Sequence, residues 1–151
     1  MQCWLFKTEP DLFGIEDLAR AADQTARWDE IRNYQARNFL RDDVKVGDQV
    51  FIYHSSCKAV GIAGLAEVVR AAYPDPSQFD PSHALFDAKA VVGSPRWFCV
   101  DVRLRQRFSD VIPLRQLKAM PELAGMTLLR QGRLSVQPVS DAERRAILGI
   151  L

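Results

Sequence analysis

The sequence predicts an α+β fold in which four or five antiparallel strands curl into a small open barrel, with short helices between and beside them. Three observations lead there. In Trp97–Phe108, the residues Phe98, Val100, Val102 and Leu104 alternate with Cys99, Asp101, Arg103, Arg105 and Arg107, the period of a half-buried antiparallel strand with a charged outer face. Two apolar runs, Gln49–His54 and Ile62–Ala71, flank a turn at Lys58–Gly61, which reads as a hairpin. Every helical pattern is short.

Taken in order, Gln2–Lys7 reads as a strand. Ile15–Ala22 reads as a helix, with Ile15, Leu18 and Ala22 on one face. Ala26–Arg32 has no clean period and is expected to be a loop. Asn33 can cap a second helix through about Arg41, with Ala36, Phe39 and Leu40 inward. Gly47-Asp48 marks a turn before the Gln49–His54 strand. In the partner strand the small residues Gly64 and Ala66 leave room for a close neighbour. Tyr73–Val92 carries Pro74, Pro76 and Pro81 and reads as a long irregular excursion, a length usually reserved for functional loops. Leu114–Ala119 is a short helix and Leu134–Gln137 a short strand. Ser140-Asp141-Ala142-Glu143 is a capping box for a last helix to about Leu148.

The 151 residues fit a single domain over positions 1–151, on the prior of roughly 100–200 residues per domain. With 48% hydrophobic and 26% charged residues the composition is globular, which excludes a disordered or low-complexity chain. No apolar run approaches the roughly 18–20 residues of a membrane span, and the first residues lack a basic, signal-like start. A cytoplasmic protein without membrane association is expected. Cys3, Cys57 and Cys99 are an odd number, far apart, with no Cys-x-x-Cys pair. Small thiols in a reducing compartment are therefore expected, with no metal and no cofactor.

Net charge is only +1. Its distribution says more, because fifteen of the basic residues are Arg and five are Lys. Arg carries the planar fork that grips phosphates. Ala26–Arg41 holds Arg27, Arg32, Arg37 and Arg41 against Asp29 and Glu30. Arg96–Arg107 holds Arg96, Arg103, Arg105 and Arg107 against Asp101. Such patches can hold a nucleic-acid backbone in a salt-dependent way.

Catalytic signatures are scarce. His54-Ser55-Ser56-Cys57 sets a His beside hydroxyls and a thiol, but neighbours along a strand face opposite ways. There is no Gly-x-Ser-x-Gly elbow and no phosphate-cradling loop. The pairs Asp42-Asp43 and Asp75/Asp80 sit in turn contexts. What stands out is Trp28 and Tyr34 amid Arg32, Asn33 and Gln35, a mixture that can stack on bases and bond their edges. On composition alone, a core plug at Trp28 and structural ion pairs at Arg32 and Arg37 fit better.

A resemblance shifts that balance. Six blocks follow in order: Trp4-Leu5-Phe6-Lys7-Thr8-Glu9-Pro10, Trp28 through Asn38, Tyr53-His54-Ser55, Ala72 through Pro76, Pro95-Arg96-Trp97-Phe98 and Gly132 through Val136. Together they resemble the EVE-domain proteins, over Met1 to about Ile150. The resemblance implies a PUA-like, curled, mostly antiparallel open barrel related to the YTH and PUA nucleic-acid readers. It also implies a pocket for one modified base, a modified cytosine in DNA first and RNA second. By that likeness Trp28 is the first aromatic wall, and Lys7 and the Tyr53-His54-Ser55 strand end lie at the mouth. The second aromatic comes from Tyr73, Phe79, Phe86 or Trp97, and Trp97 is taken because it ends the loop.

The mechanism expected is binding without a reaction. A base leaves its stack and lies between aromatic faces, with Tyr34 and Tyr73 nearby. Asn33, Gln35, His54 and Ser55 supply donors and acceptors. Arg32, Arg37 and Arg133 hold flanking phosphates. Because Trp28 sits in an aperiodic stretch, it is expected to be dispensable to the core. The alternative is a small amidohydrolase of modified nucleosides, as in the ASCH branch of the fold. Those enzymes use a Lys, a Thr or Ser and a Glu, which Lys7-Thr8-Glu9 supplies consecutively rather than at their separated spacing. A monomer is expected in either case, with nucleic acid as the partner of the reader.

Overall fold

Apolar residues at successive positions of Cys3–Thr8 (β1) and Gln49–His54 (β3) set the architecture. Trp4 and Phe6 belong to one hydrophobic cluster, Cys3 and Leu5 to another. In β3, Val50 and Ile52 likewise separate from Phe51 and Tyr53. Strands that are apolar on both faces belong in the middle of a covered sheet. The remaining strands are Thr25–Trp28 (β2), Gly61–Pro74 (β4), Phe98–Pro113 (β5) and Val136–Val139 (β6). In the structure, a computed structural model describing residues 1–151, they form one sheet in the order β2-β5-β4-β3-β1-β6.

Helices cover both faces. On one side Ile15 and Leu18 of α2 (Ile15–Arg20), Ala36 of α3 (Tyr34–Asn38) and Leu40 of the π turn that follows α3 pack against Trp4, Phe6 and Val100. The first helix, α1 (Pro10–Phe13), sits at the edge of this layer. On the other side Leu117 of α4 (Leu114–Lys118), Leu128 of α5 (Thr127–Arg130) and Ile147 of α6 (Asp141–Leu148) pack on Leu5, Phe51 and Phe108. The caps expected at Asn33 and Ser140 are both present, Asn33 Oδ1 accepting from Ala36 N at 2.9 Å and Ser140 Oγ from Glu143 N at 3.1 Å.

The sheet departs from the expected one in three ways. It has six strands, and β1 runs parallel to β3 while every other neighbouring pair is antiparallel. The long connection through α1, α2, β2 and α3 is what allows a parallel crossover. Ala26–Trp28, expected to be loop, belongs to the edge strand β2, pairing Ala26 with Val102 and Trp28 with Val100. Four residues are too few to show a period. In β5 the alternation holds for Val100, Val102 and Leu104, and Arg105 and Arg107 are exposed. Phe98, however, is only half-buried and Cys99 is fully buried. Register shifts between β4 and β5 explain this, since each bulge turns side chains to the other face and increases local twist. The same bulges curl the sheet, which stays open between its edges β2 and β6. A smaller correction concerns α2, which ends at Arg20 and leaves Ala22 exposed.

The Arg-rich outer face of β5 is paired rather than free: Arg103 with Asp23, Arg105 with Glu67 and Arg107 with Glu16. Burial pushes the thiols of Cys3 and Cys99 up to about 12, which leaves them unreactive.

Gly64 meets the close neighbours that its small size implies. A Cβ there would lie 2.6 Å from the Gln106 carbonyl oxygen and 2.8 Å from Ile15 Cδ1. Gly64→Ala is expected to lower stability by about 1–3 kcal/mol in urea denaturation. An unchanged midpoint would mean that β4 and β5 can separate freely at that bulge.

Candidate functional site

Three strands end at one place. Lys7, Thr8 and Glu9 leave β1, Trp28 to Asn33 leave β2, and Ser55 and Ser56 follow β3. Together they line a cavity of about 660 Å³, closed by Leu12 and Phe13 of α1 and by Gly132, Arg133 and Ser135 ahead of β6. That volume lies within the roughly 300–1,000 Å³ of small-molecule sites. Two lining residues, Glu30 (φ 65°) and Ser56 (φ 53°), hold left-handed backbone conformations, a strain often found at functional sites.

Trp28 is both wall and core. Only 6% of it is exposed. Its ring packs 5.7 Å from Phe6 and edge-on to Phe13, at 6.1 Å and 84°. The expectation that Trp28 is dispensable to the core is therefore corrected. Strand pairing with Val100 turns its ring inward, and the aromatic it meets at the cavity is Phe13. Trp97, expected to face it, does not line the cavity. Its indole Nε1 donates to Asp87 at 2.9 Å, and its ring lies under Tyr34 at 4.9 Å. Arg37 stacks on both rings and donates to the Arg96 carbonyl at 2.9 Å. Tyr34, Trp97 and Arg37 thus form a separate layered stack outside the cavity.

Asp75 holds the cavity wall from behind. It is fully buried. Its carboxylate accepts from Glu30 N (2.8 Å), Arg32 (3.2 Å), Ser77 N (2.9 Å) and Ser77 Oγ (2.6 Å). Burial alone would push this carboxyl up, but the Ser77 hydroxyl, the Glu30 and Ser77 amides and Arg32 together hold it below its ordinary value. Arg32 also donates to Ser77 Oγ, to the Leu85 carbonyl and to the Ile31 carbonyl. It lines the cavity, with its guanidinium nitrogens Nη1 and Nη2 bonded into the fold. Behind it, Gln78 ties the two ends of the long loop, donating to the Asp75 and Trp97 carbonyls and accepting from Arg96 N and Trp97 N.

The other expected residues divide. Lys7, Asn33, Ser55 and Arg133 line the cavity. Lys7 donates to the Gly132 carbonyl, and burial holds its ammonium below the usual lysine value. Asn33 has its oxygen on the α3 cap, so its amide N–H groups remain for a ligand. Ser55 turns its hydroxyl toward the Thr8 carbonyl at 3.5 Å. His54 is excluded from the cavity. It is buried, its Nε2 accepts from Ile15 N at 3.1 Å, and burial lowers its pKa and favours the neutral ring. Gln35 is exposed on α3, and Tyr73 is bonded to Asp101 at 2.6 Å, away from the cavity. Sequence reasoning missed Phe13, Asp29, Glu30 and Asp75. Asp29 and Glu30 carried a signal, following directly on Trp28 as a Trp-Asp-Glu run, whereas Asp75 looked like an ordinary turn residue.

The EVE domain model matches residues 2–150. The chain belongs to the EVE domain family. It is 42% identical to thymocyte nuclear protein 1 of Danio rerio and 40% identical to that of Homo sapiens, covering 97% of this chain and 71% and 72% of theirs. A solved structure of a hypothetical protein from Leishmania major superposes with a TM-score of 0.93 at 47% identity, covering 99% of this chain and 94% of that one. The human THYN1 protein, solved in complex with 5-methylcytosine containing DNA, superposes with a TM-score of 0.95 at 39% identity, covering 99% and 97%. The fold is thus the PUA-like one of this family, a six-stranded mixed sheet left open.

Two outcomes follow for stability. Trp28→Ala is expected to lose about 3–5 kcal/mol, as for a core aromatic, while Trp28→Phe keeps a folded protein; equal melting temperatures for Trp28→Ala and the parent would remove Trp28 from the core. Asp75→Asn leaves Arg32 partly buried without its counter-charge and is expected to cost about 3–5 kcal/mol at pH 7. Because the folded state lowers the Asp75 pKa, its contribution is complete above the ordinary Asp value of about 3.9. It is lost as pH falls through the lower folded-state value. Denaturation at neutral and acid pH should show the gap between parent and variant shrinking with acidity.

Proposed function

We propose that this EVE domain acts as a single module that binds nucleic acid and reads one modified base, a modified cytosine in DNA, without a chemical reaction. The observation that carries the reading is the cavity itself. It has an aromatic wall of Trp28 and Phe13 and a basic rim of Lys7, Arg27 and Arg133. It lies in a fold that superposes with a TM-score of 0.95 on a protein solved with 5-methylcytosine containing DNA. A base drawn from its stack loses a few kcal/mol of stacking, and an aromatic wall returns about 1–3 kcal/mol. The edge bonds offered by Asn33, Ser55 and the carboxylates supply the rest. Arg133 is exposed and holds no partner in the fold, so it is the proposed phosphate contact, in place of Arg32 and Arg37.

One observation favours the hydrolase as a second reading: Lys7, Thr8 and Glu9 all line the cavity. The Thr8 hydroxyl, however, donates to the Phe13 carbonyl at 2.5 Å, and the Lys7 ammonium is bonded to the Gly132 carbonyl. Both groups support the walls, which favours the binding module. No helix is long and apolar enough to cross a membrane. Three unpaired cysteines suit a reducing compartment, and we place the protein there as a monomer, in the cytoplasm.

The test is titration of short DNA oligonucleotides carrying 5-methylcytosine or cytosine at one position, followed by tryptophan fluorescence. The methylated oligonucleotide is expected to bind more tightly. Its affinity should fall with salt along a shallow slope, since few phosphates are held, while the free nucleoside is almost insensitive. Identical affinity for both oligonucleotides, or release of a hydrolysed nucleoside, would overturn the reading.

A further inference from the structure

Asp29 differs from every other strongly buried or half-buried carboxylate near the cavity. Asp75 accepts four hydrogen bonds. Glu30 faces His83, whose Nε2 lies 3.3 Å away. Glu9 stands exposed on the rim. Asp29 follows Trp28 directly, lines the cavity beside it, and has a side chain only 32% exposed. No donor from another residue is within hydrogen-bond distance of its carboxylate. The nearest cation, Arg27, approaches only to 4.0 Å. Burial, together with the charges of Asp75 and Glu30, pushes this carboxyl above its ordinary value, with Arg27 opposing. Apart from its own backbone N–H, the carboxylate takes no hydrogen bond from the protein, so its exposed edge on the cavity is open to a ligand that brings a donor with it.

An ionised carboxylate only accepts. Among the bases it matches an exocyclic amino group, as when Asp or Glu accepts from N4 of cytosine, and it repels the carbonyl oxygen that thymine carries at the same ring position. We propose that Asp29 reads the exocyclic amino group of the bound base and restricts the cavity to the amino-bearing, cytosine-type ring, rejecting thymine although thymine carries the same 5-methyl group. This rests on the base-reading function proposed above and names the residue and the atom behind its selectivity. Asn33, at the far end of the Trp28–Asn33 segment, lines the same cavity and has its amide N–H groups free for the ring acceptors.

The pair 5-methylcytosine and thymine isolates the effect, because the two rings share the methyl group and differ at ring positions 3 and 4. Short oligonucleotides carrying one or the other are titrated against the parent protein and Asp29→Asn. The parent should prefer 5-methylcytosine by about tenfold or more. In Asp29→Asn the preference should fall to near unity, because the new amide can turn its N–H groups to the thymine oxygen. The variant should melt at or above the parent temperature, since a penalised charge has been removed, and this shows that it is folded. A preference kept in Asp29→Asn would overturn the role of Asp29 and leave base reading intact. Equal binding of both oligonucleotides by the parent would overturn amino-group selection itself. Failure of the parent to bind 5-methylcytosine above cytosine would remove the base-reading function and this inference with it.

Discussion

The cavity depends on one buried charge. Asp75 lies wholly inside the protein, and a buried ionised carboxylate is tolerable only when it is bonded and paired. Its donors come from two segments far apart in sequence: Glu30 N and Arg32 after β2, and Ser77 on the long loop. Meeting its needs therefore fixes both segments against each other. Glu30, whose amide is one of these donors, also holds a left-handed conformation, so the strained turn of the cavity wall is tied directly to the buried charge behind it. Gln78 extends the same principle to the loop ends, bonding four backbone groups there with one side chain.

Above that anchor, the parallel pairing of β1 and β3 decides where the cavity opens. Two parallel strands end side by side, and the chain must diverge from them, here at Thr8 and Ser55. The edge strand β2 ends at Trp28 close to the same point. The opening is thus a product of topology, with Trp28 completing the core on one face and the cavity on the other. Core and cavity wall share that ring, so truncating it would disturb both at once.

Charge is arranged in the same economical manner. A chain of net charge +1 carries many guanidinium groups, yet most are bonded within the fold: Arg32 to Asp75, Arg37 against Tyr34 and Trp97, and the β5 row to Asp23, Glu67 and Glu16. Exposed pairs of this kind contribute little stability each, but they neutralise the surface away from the cavity. The basic rim at Lys7 and Arg133 stands out against that neutral background, and it meets an interior wall that includes carboxylates.

Patterns that repeat within a few residues were legible in the sequence. The β5 alternation from Val100 to Leu104, the apolar runs of β1 and β3, the caps at Asn33 and Ser140 and the close approach at Gly64 all express local geometry, and each is present. The ordered motif blocks around Trp4, Trp28 and Gly132 carried the family as well. Tertiary structure alone decided the parallel crossover, the strand character of Ala26–Trp28, the exclusion of Trp97 and His54 from the cavity, and the hub at Asp75. None of these has a period. Each depends on which distant group meets a buried polar atom or shares a strand edge, and a buried charge takes its partners from wherever the fold brings donors within hydrogen-bond reach.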